Sequence, residues 1–223
     1  MLNADSLPNK IMELRALVAS LDPSPNIIAV TEAKPKNSRY VMDYVDYSIE
    51  GYECRIKNLE KEAGRGIIIW IRQDLDFTDF KPSKVFEESL WISITLNQKE
   101  KLLFGCIYRS PNSSEENTSQ LNDLLRDIAN KKHQQLLITG DFNFPGINWS
   151  TNSGSNERER TFLDAVNDSF LHQHVDRPTH WRPGQNPTLI DLKLTSDDDS
   201  ILNLTHLSPL AKSHHSCLLF DYV

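Results

Sequence analysis

The segment LLITGDFNFPGINW, residues 136–149, decides how the rest of the chain is interpreted. It begins with an apolar run of the kind that forms a buried strand, and Gly140 then interrupts this run. Asp141 and Asn143 follow at the strand end, directly before the turn that Pro145-Gly146 predicts. An Asp placed there is suited to taking a proton from water, and an Asn to donating an N–H group to an oxyanion. From this stretch alone, an Asx-type turn that satisfies backbone groups is an equally good interpretation.

The composition is that of an ordinary globular domain, with 39% hydrophobic and 25% charged residues. We expect one domain over residues 1–223, since a chain of this length builds a sizeable core. The net charge of −7 argues against tight, passive binding to nucleic acid. It is compatible with an enzyme whose carboxylates hold a divalent cation against a phosphate.

The three cysteines, Cys54, Cys106 and Cys217, are scattered and odd in number, which predicts free thiols in a reducing compartment. No zinc-type Cys/His spacing is present. The segment at residues 1–5 lacks the basic and apolar regions of a secretory signal, and no apolar run reaches the roughly 18 residues of a membrane span. The sequence therefore predicts a nuclear or cytoplasmic protein with no membrane partner.

Hydrophobic periodicity predicts amphipathic helices over residues 8–21, 120–132 and 158–172, the last with Phe162, Leu163, Val166 and Phe170 on one face. Strands are predicted at 26–31, 51–54, 66–71, 90–96, 102–108, 136–139, 189–194, 201–207 and 216–220, and 90–96 and 102–108 are expected to pair. Loops are predicted at 58–65, 112–117 and 178–187. This pattern indicates the α+β class, an α/β sandwich of two mostly antiparallel sheets packed face to face with helices on the outside.

Polar side chains recur at the predicted strand ends. They are Asn3 and Asp5, Glu32, Tyr108-Arg109, Asp141 and Asn143, Asp191, and Ser213-His214-His215. Taken singly, most are as well explained as surface residues, although a lone carboxylate between Ile190 and Leu192 would be costly to bury unless it is paired. Taken together, they supply what hydrolysis of a phosphodiester requires, namely carboxylates for Mg²⁺, a base for water and donors for the phosphoryl oxygens.

In their order along the chain, these pieces resemble the endonuclease/exonuclease/phosphatase superfamily, in particular the apurinic/apyrimidinic-endonuclease-like domain of non-LTR (LINE-type) retrotransposons. The matching motifs are NADSL at 3–7, IIAVTE at 27–32, GRG at 64–66, YRSPN at 108–112, GDFN at 140–143, IDL at 190–192 and SHH at 213–215. The resemblance implies the DNase I-like, four-layer form of the sandwich.

The resemblance also implies a metal site that uses Mg²⁺, or Mn²⁺ in its place. Glu32 would be the direct ligand, with Asn3 beside it and Asp5 as a second acidic residue. The last motif of the family reads Ser-Asp-His, whereas His214 stands at the acidic position here. Because His is a poor ligand for hard Mg²⁺, we expect a weaker or altered metal dependence that favours Mn²⁺.

Catalytic roles are implied in the same way. Tyr108 would touch the scissile phosphate, and Asp141 would align or deprotonate the attacking water. Asn143 would contact the phosphate and help to hold Asp141. Asp191 would orient His215, which would stabilise charge on the phosphoryl group.

The implied partner is double-stranded DNA, nicked in one strand to leave a 3′-hydroxyl that primes a downstream reverse transcriptase. Arg109 is expected to contact backbone phosphates, and the loop with Trp181 and Arg182 suits a nucleic-acid backbone through stacking and phosphate contact. The alternative for this pair is a surface loop pinned by a buried Trp181.

Two other functions stay open. One is a phosphatase or phosphodiesterase of the same fold that acts on a small molecule or lipid. The other is a catalytically weakened or dead copy kept as a binding module, which His214 favours. Since the sequence stops at Val223 without a reverse transcriptase, we expect an excised domain, a truncated copy or a host-retained remnant.

Overall fold

The computed structural model describes residues 1–35, 41–59, 65–97, 100–130 and 135–223. Within these ranges the helices are α1 (Ile11–Ser20), α2 (Glu115–Asn130) and α3 (Glu157–Asp168). The strands are β1 (Leu2–Asn3), β2 (Ile27–Thr31), β3 (Tyr52–Lys57), β4 (Ile67–Arg72), β5 (Phe77–Asp79), β6 (Ser89–Thr95), β7 (Lys101–Tyr108), β8 (Gln135–Asp141), β9 (Ile147–Asn148), β10 (Ser153–Gly154), β11 (His172–Gln173), β12 (Asp191–Thr195), β13 (Ile201–Leu207) and β14 (Cys217–Tyr222). No helix among the described residues has the length and apolar composition needed to cross a bilayer.

Two sheets form the sandwich. The first runs β3-β4-β2-β1 and continues into the antiparallel pair β14-β13, because Met1 and Leu218 exchange backbone hydrogen bonds of 2.8 and 2.9 Å. The second sheet has six strands in the order β11-β12-β8-β7-β6-β5. In the described part of these two sheets, β1–β2 and β7–β8 are parallel and the other ladders are antiparallel. The predicted pairing of β6 with β7 is confirmed.

Apolar side chains fill three interfaces. Between the sheets lie residues such as Ile67, Ile69, Ile92, Phe104 and Cys106. The outer face of the first sheet is covered by α1, and the outer face of the second by α2 and α3. The predicted α/β sandwich with helices outside is therefore confirmed, in four layers.

The start of α2 differs from the prediction. Residues 112–117 were expected to form a loop, yet the helix begins at Glu115. The Ser114 hydroxyl accepts a hydrogen bond of 3.1 Å from the Asn117 amide, the usual contact of a helix N-cap. Glu115 and Glu116 then occupy the first turn, where negative charge is favourable. The predicted end at Lys132 lies outside the described residues.

Two further boundaries were wrong. The strand β8 continues through Gly140 to Asp141 instead of breaking at the glycine. Helix α3 ends at Asp168, and Phe170 lies beyond it, 82% exposed and with a φ of 51°, so it does not join the buried face. Much of the predicted loop at 58–65 falls on residues 60–64, outside the described ranges.

Candidate active site

Strand ends from both sheets meet at one mouth of the sandwich. In the second sheet, Asp141 is the register partner of Tyr108 on one side and of Asp191 on the other. In the first sheet, β1 pairs with β2, so that Asn3 lies opposite Thr31 and Glu32 follows directly. Charges of Glu32 act on Tyr108, Asp141 and His215. Side chains far apart in sequence are therefore gathered around one site.

Two buried hydrogen bonds organise its centre. The Asn3 amide nitrogen donates to Asp141 Oδ2 at 2.8 Å, and His215 Nδ1 lies 2.8 Å from Asp191 Oδ2. The backbone amide of Asp191 donates to Thr179 Oγ1 at 3.1 Å, which fixes the start of β12. Asn3, Asp141 and Asp191 are each 1% exposed or less. Both carboxylates are thus held in defined orientations inside the protein.

The carboxyls of this centre have pKa values shifted in opposite directions. Burial, with the charge of Asp191 beside it, raises the pKa of Asp141 well above its usual range. Burial also opposes ionisation of Asp191, but the charge and hydrogen bond of His215 outweigh it and lower the pKa of that carboxyl. Burial opposes protonation of His215, yet Asp191 raises the pKa of the imidazole to about 9. Asp141 is therefore the more basic carboxylate, next to a protonated His215.

Glu32 and Asp5 share one cationic partner. The guanidinium of Arg65 contacts Glu32 Oε2 through Nη1, and its Nη2 lies 2.6 Å from Asp5 Oδ1. The Tyr108 hydroxyl also hydrogen-bonds to Glu32, and burial together with the Glu32 and Asp141 charges raises the pKa of Tyr108. Asp5 and Glu32 have φ values of 41° and 51°, which non-glycine residues rarely adopt. Such strain is typical of functional sites.

Asn143 and Arg109 are placed differently from expectation. The Asn143 side-chain amide donates to the backbone oxygen of Arg109 at 2.8 Å, and it is Asn3 that contacts the Asp141 carboxylate. Arg109 is 1% exposed, with its guanidinium 3.1 Å from the Asn143 carbonyl and stacked on the Phe144 ring. The guanidinium stabilises the 142–144 loop from the protein interior. Because Arg109 is buried there, we do not propose that it contacts a DNA phosphate.

The other predicted residues lie at the rim. Trp181 is 39% exposed, so it is not the buried anchor of the alternative interpretation, and Arg182 and His214 are exposed as well. The Trp181 amide donates to the His214 carbonyl at 2.9 Å, which brings this loop against the last motif. Trp181 and Arg182 are therefore available to a ligand at the mouth.

Two residues of the site had no role assigned from the sequence. Arg65 belongs to the GRG motif, and its place directly before the buried strand is the sequence feature that points to it. His180 has its ring centroid 4.6 Å from that of His215, and its Nδ1 lies 3.2 Å from Thr188 Oγ1. Burial, and then the charge of His215, lower the pKa of His180 to about 4, so it is neutral beside its charged neighbour. No sequence pattern indicated this contact between the two rings.

The oxygen atoms of the site suit a hard divalent cation. Asp141, Asp191 and His215 each offer a ligand atom within 4.8 Å of the others. Asp141 Oδ1 and Asp191 Oδ1 are buried and have no hydrogen-bond partner among the described atoms. Glu32 and Asp5 already bind a cationic group, the Arg65 guanidinium. Carboxylate-rich sets of this kind are what Mg²⁺ and Mn²⁺ prefer.

The site geometry agrees with a family match. The family model described as endonuclease-reverse transcriptase matches residues 102–219, more than half of the chain. The chain belongs to the endonuclease-reverse transcriptase family. The resemblance to the endonuclease/exonuclease/phosphatase superfamily and its retrotransposon members is thereby confirmed. No curated protein matches this family member.

Solved structures share the fold of this endonuclease-reverse transcriptase family member over 99% of its length. The endonuclease domain of TRAS1, a telomere-specific non-LTR retrotransposon, matches over 95% of its own chain with a TM-score of 0.69 and 17% identity. The AP endonuclease LMAP from Leishmania major matches over 86% with a TM-score of 0.76 and 12% identity. The 3′ phosphatase NExo from Neisseria, bound to a product DNA hairpin, matches over 97% with a TM-score of 0.65 and 16% identity.

Proposed function

We propose that the chain is a metal-dependent DNA endonuclease that hydrolyses one phosphodiester and nicks one strand. One observation carries the proposal. Asn3, Glu32, Asp141 and His215, from the two ends and the middle of the chain, converge at one mouth with two buried carboxyls of opposite pKa shift. The family adds the context of a retrotransposon, in which a reverse transcriptase would extend the nicked 3′ end.

The chemistry follows from these groups. Asp141, held by Asn3, takes a proton from the water whose oxygen attacks the phosphorus. The P–O3′ bond breaks, and the 3′ oxygen leaves as a hydroxyl by taking a proton from solvent water. The protonated His215 imidazole, oriented by Asp191, stabilises the charge that develops on the phosphoryl oxygens. A Mg²⁺ or Mn²⁺ ion held by Glu32 and Asp5 would supply further positive charge to those oxygens.

Nicking of supercoiled plasmid tests the proposal. Asp141→Asn is expected to lower the rate by at least about a hundredfold, since a general base contributes that much or more. Asp168→Asn, an isosteric change in an exposed pair with Arg126, should leave the rate unchanged. Equal rates for wild type and D141N, or no nicking by either, would contradict the endonuclease and favour the binding module.

The same assay tests whether His214 sets the metal dependence. Together with a phosphatase assay, it also tests whether the substrate is DNA or a small phosphomonoester. With Mg²⁺ and with Mn²⁺, His214→Asp should raise Mg²⁺-supported nicking more than Mn²⁺-supported nicking, because a carboxylate suits the harder ion. An unchanged Mg²⁺ rate would show that His214 does not set the metal dependence. Release of phosphate from a small phosphomonoester without plasmid nicking would favour a phosphatase.

A further inference from the structure

Arg65 connects the two acidic residues proposed to bind the metal. Its two terminal nitrogens contact separate carboxylates, Glu32 through Nη1 and Asp5 through Nη2. The Arg65 and Glu32 side chains are 12% and 13% exposed, and that of Asp5 is 46% exposed. The ion pair with Glu32 is thus largely shielded from water, which makes it stronger than an open surface pair.

The backbone holds Arg65 in this position. The amides of Ala33 and Lys34, directly after Glu32, donate to the carbonyls of Gly66 and Arg65. Gly66 has a φ of 71°, a backbone conformation that favours glycine, and a Cβ there would also come within 3.2 Å of the Lys57 carbonyl oxygen. Arg65 therefore emerges beside Glu32 as a consequence of the sheet geometry.

A guanidinium and a divalent cation make incompatible demands on these oxygens. Arg65 contacts Glu32 Oε2 and Asp5 Oδ1, and the proposed metal would bind the same two carboxylates. Because both cations are positive, placing them together on this carboxylate pair is repulsive. The planar fork of arginine spans two acceptors, which lysine does not match. Arg65 is thus matched to the same pair of carboxylates as the metal.

We propose that Arg65 is a tethered counter-cation that competes with the divalent ion for Glu32 and Asp5, so that metal binding requires its guanidinium to leave. This positioning role rests on the proposed function only in that Glu32 and Asp5 bind the metal. It predicts that the chain weakens its own metal affinity through Arg65. A purely supportive Arg65, which orients the ligands, predicts the opposite sign.

Measuring Mn²⁺ affinity distinguishes a competing Arg65, which weakens metal binding, from a supportive Arg65, which strengthens it. This test needs no activity measurement. Free Mn²⁺ is followed by electron paramagnetic resonance during titration of wild type and Arg65→Ala after chelator treatment. R65A should bind Mn²⁺ about tenfold tighter, because a competing cation is removed and couplings between two binding events are commonly of this size. A supportive Arg65 predicts a loss of affinity instead, which is the usual result when an outer partner of a ligand is changed. Arg65→Lys should fall between wild type and R65A. Arg72→Ala is the matched control, since Arg72 ends β4, the strand that begins just after Arg65, and pairs with Asp74.

Thermal unfolding provides the second readout. R65A should melt at a lower temperature than wild type without metal, because Glu32 and Asp5 lose their counter-cation, and should gain more from saturating Mn²⁺. Equal or weaker Mn²⁺ binding by R65A, with binding abolished in Glu32→Gln, would overturn the competition but leave the proposed metal site standing. Mn²⁺ binding that is unaffected by E32Q, or absent from every variant, would overturn both.

Discussion

At the scale of single residues, the pair of Asp191 and His215 sets the charge of the site. Asp191 is fully buried, and its carboxylate is compensated by His215 at 2.8 Å and by the Thr179 hydroxyl. A buried carboxylate without such partners would be strongly destabilising. The sequence favoured a paired Asp191 on this argument, and the structure supplies the partner, 24 residues further along the chain.

We predict that Asp191→Asn moves the titration of His215. In the metal-free wild type the imidazole should titrate at about 9, because the attraction of Asp191 outweighs burial. In D191N burial still opposes protonation and only the charges of Asp141 and Glu32 favour it, so the pKa should fall. Histidine nuclear magnetic resonance signals across the pH range measure this shift. His174 is the internal control, because burial lowers its pKa and Asp191 does not contribute to that shift.

The same shift has a consequence for stability. Because the folded pKa of His215 lies above the unfolded value, its stabilisation is complete below about pH 6.5 and is lost as pH rises through about 9. The free energy of unfolding of wild type should therefore fall over this window, and D191N should show a smaller decrease. Urea unfolding at several pH values would contradict the assignment if the two proteins declined in parallel.

At the scale of elements, β8 is the strand that delivers Asp141. Gly140 pairs with Ile107 on β7 and with Leu192 on β12, and a Cβ at this glycine would come within 1.9 Å of the Ile107 carbonyl oxygen. The glycine, interpreted from sequence as a strand break, is instead what lets three strands approach closely enough to bring Asp141 and Asp191 together. The need for glycine comes from the neighbouring strands β7 and β12. These are distant in sequence, so the residues around Gly140 do not reveal it.

Gly140→Ala should therefore destabilise the site as well as the fold. We expect a loss of roughly 3 kcal/mol in the free energy of unfolding, since the overlap is with backbone and not with a flexible side chain. Gly51→Ala, at a φ of 81° with no atom within 4 Å, should cost only about 1 kcal/mol from its backbone conformation. Urea denaturation of both variants measures the difference. Equal losses would show that the close contact at Gly140 relaxes without cost.

Helices and strands with a strong apolar periodicity could be predicted from the sequence. The side chains that surround each of them in the fold could not. Alternating and helical apolar patterns predict the main strands and all three helices of the described residues. The start of α2 is not predicted, because it depends on the Ser114 cap and not on apolar periodicity. Alternation also explains Arg109: once Tyr108 faces the site, the next side chain faces the helices. Motif order selected the site residues, whereas the partner of each, such as Arg65 for Glu32, depends on long-range packing.

At the scale of the whole molecule, an acidic protein is proposed to act on an acidic polymer. The net charge of −7 gives no general attraction for DNA, so binding should depend on a few cationic groups near the mouth. Arg65 is engaged with Asp5 and Glu32, and Arg109 is buried. Arg182 is exposed, and its charge helps to lower the pKa of His180 beside the site. It is thus well placed for contact with a backbone phosphate.

Arg182→Ala should make nicking less sensitive to salt. Each phosphate contact contributes about 0.9 to the slope of log affinity against log salt concentration, so R182A should lower the slope of kcat/KM by about that amount. Trp181→Ala should reduce kcat/KM and leave the slope unchanged, because stacking releases no counterions. Arg126→Ala, on the outer helix and paired with Asp168, should match wild type in both respects. If R182A and R126A gave the same slope, Arg182 would not contact DNA, and phosphate contacts would have to come from other cationic groups at the mouth.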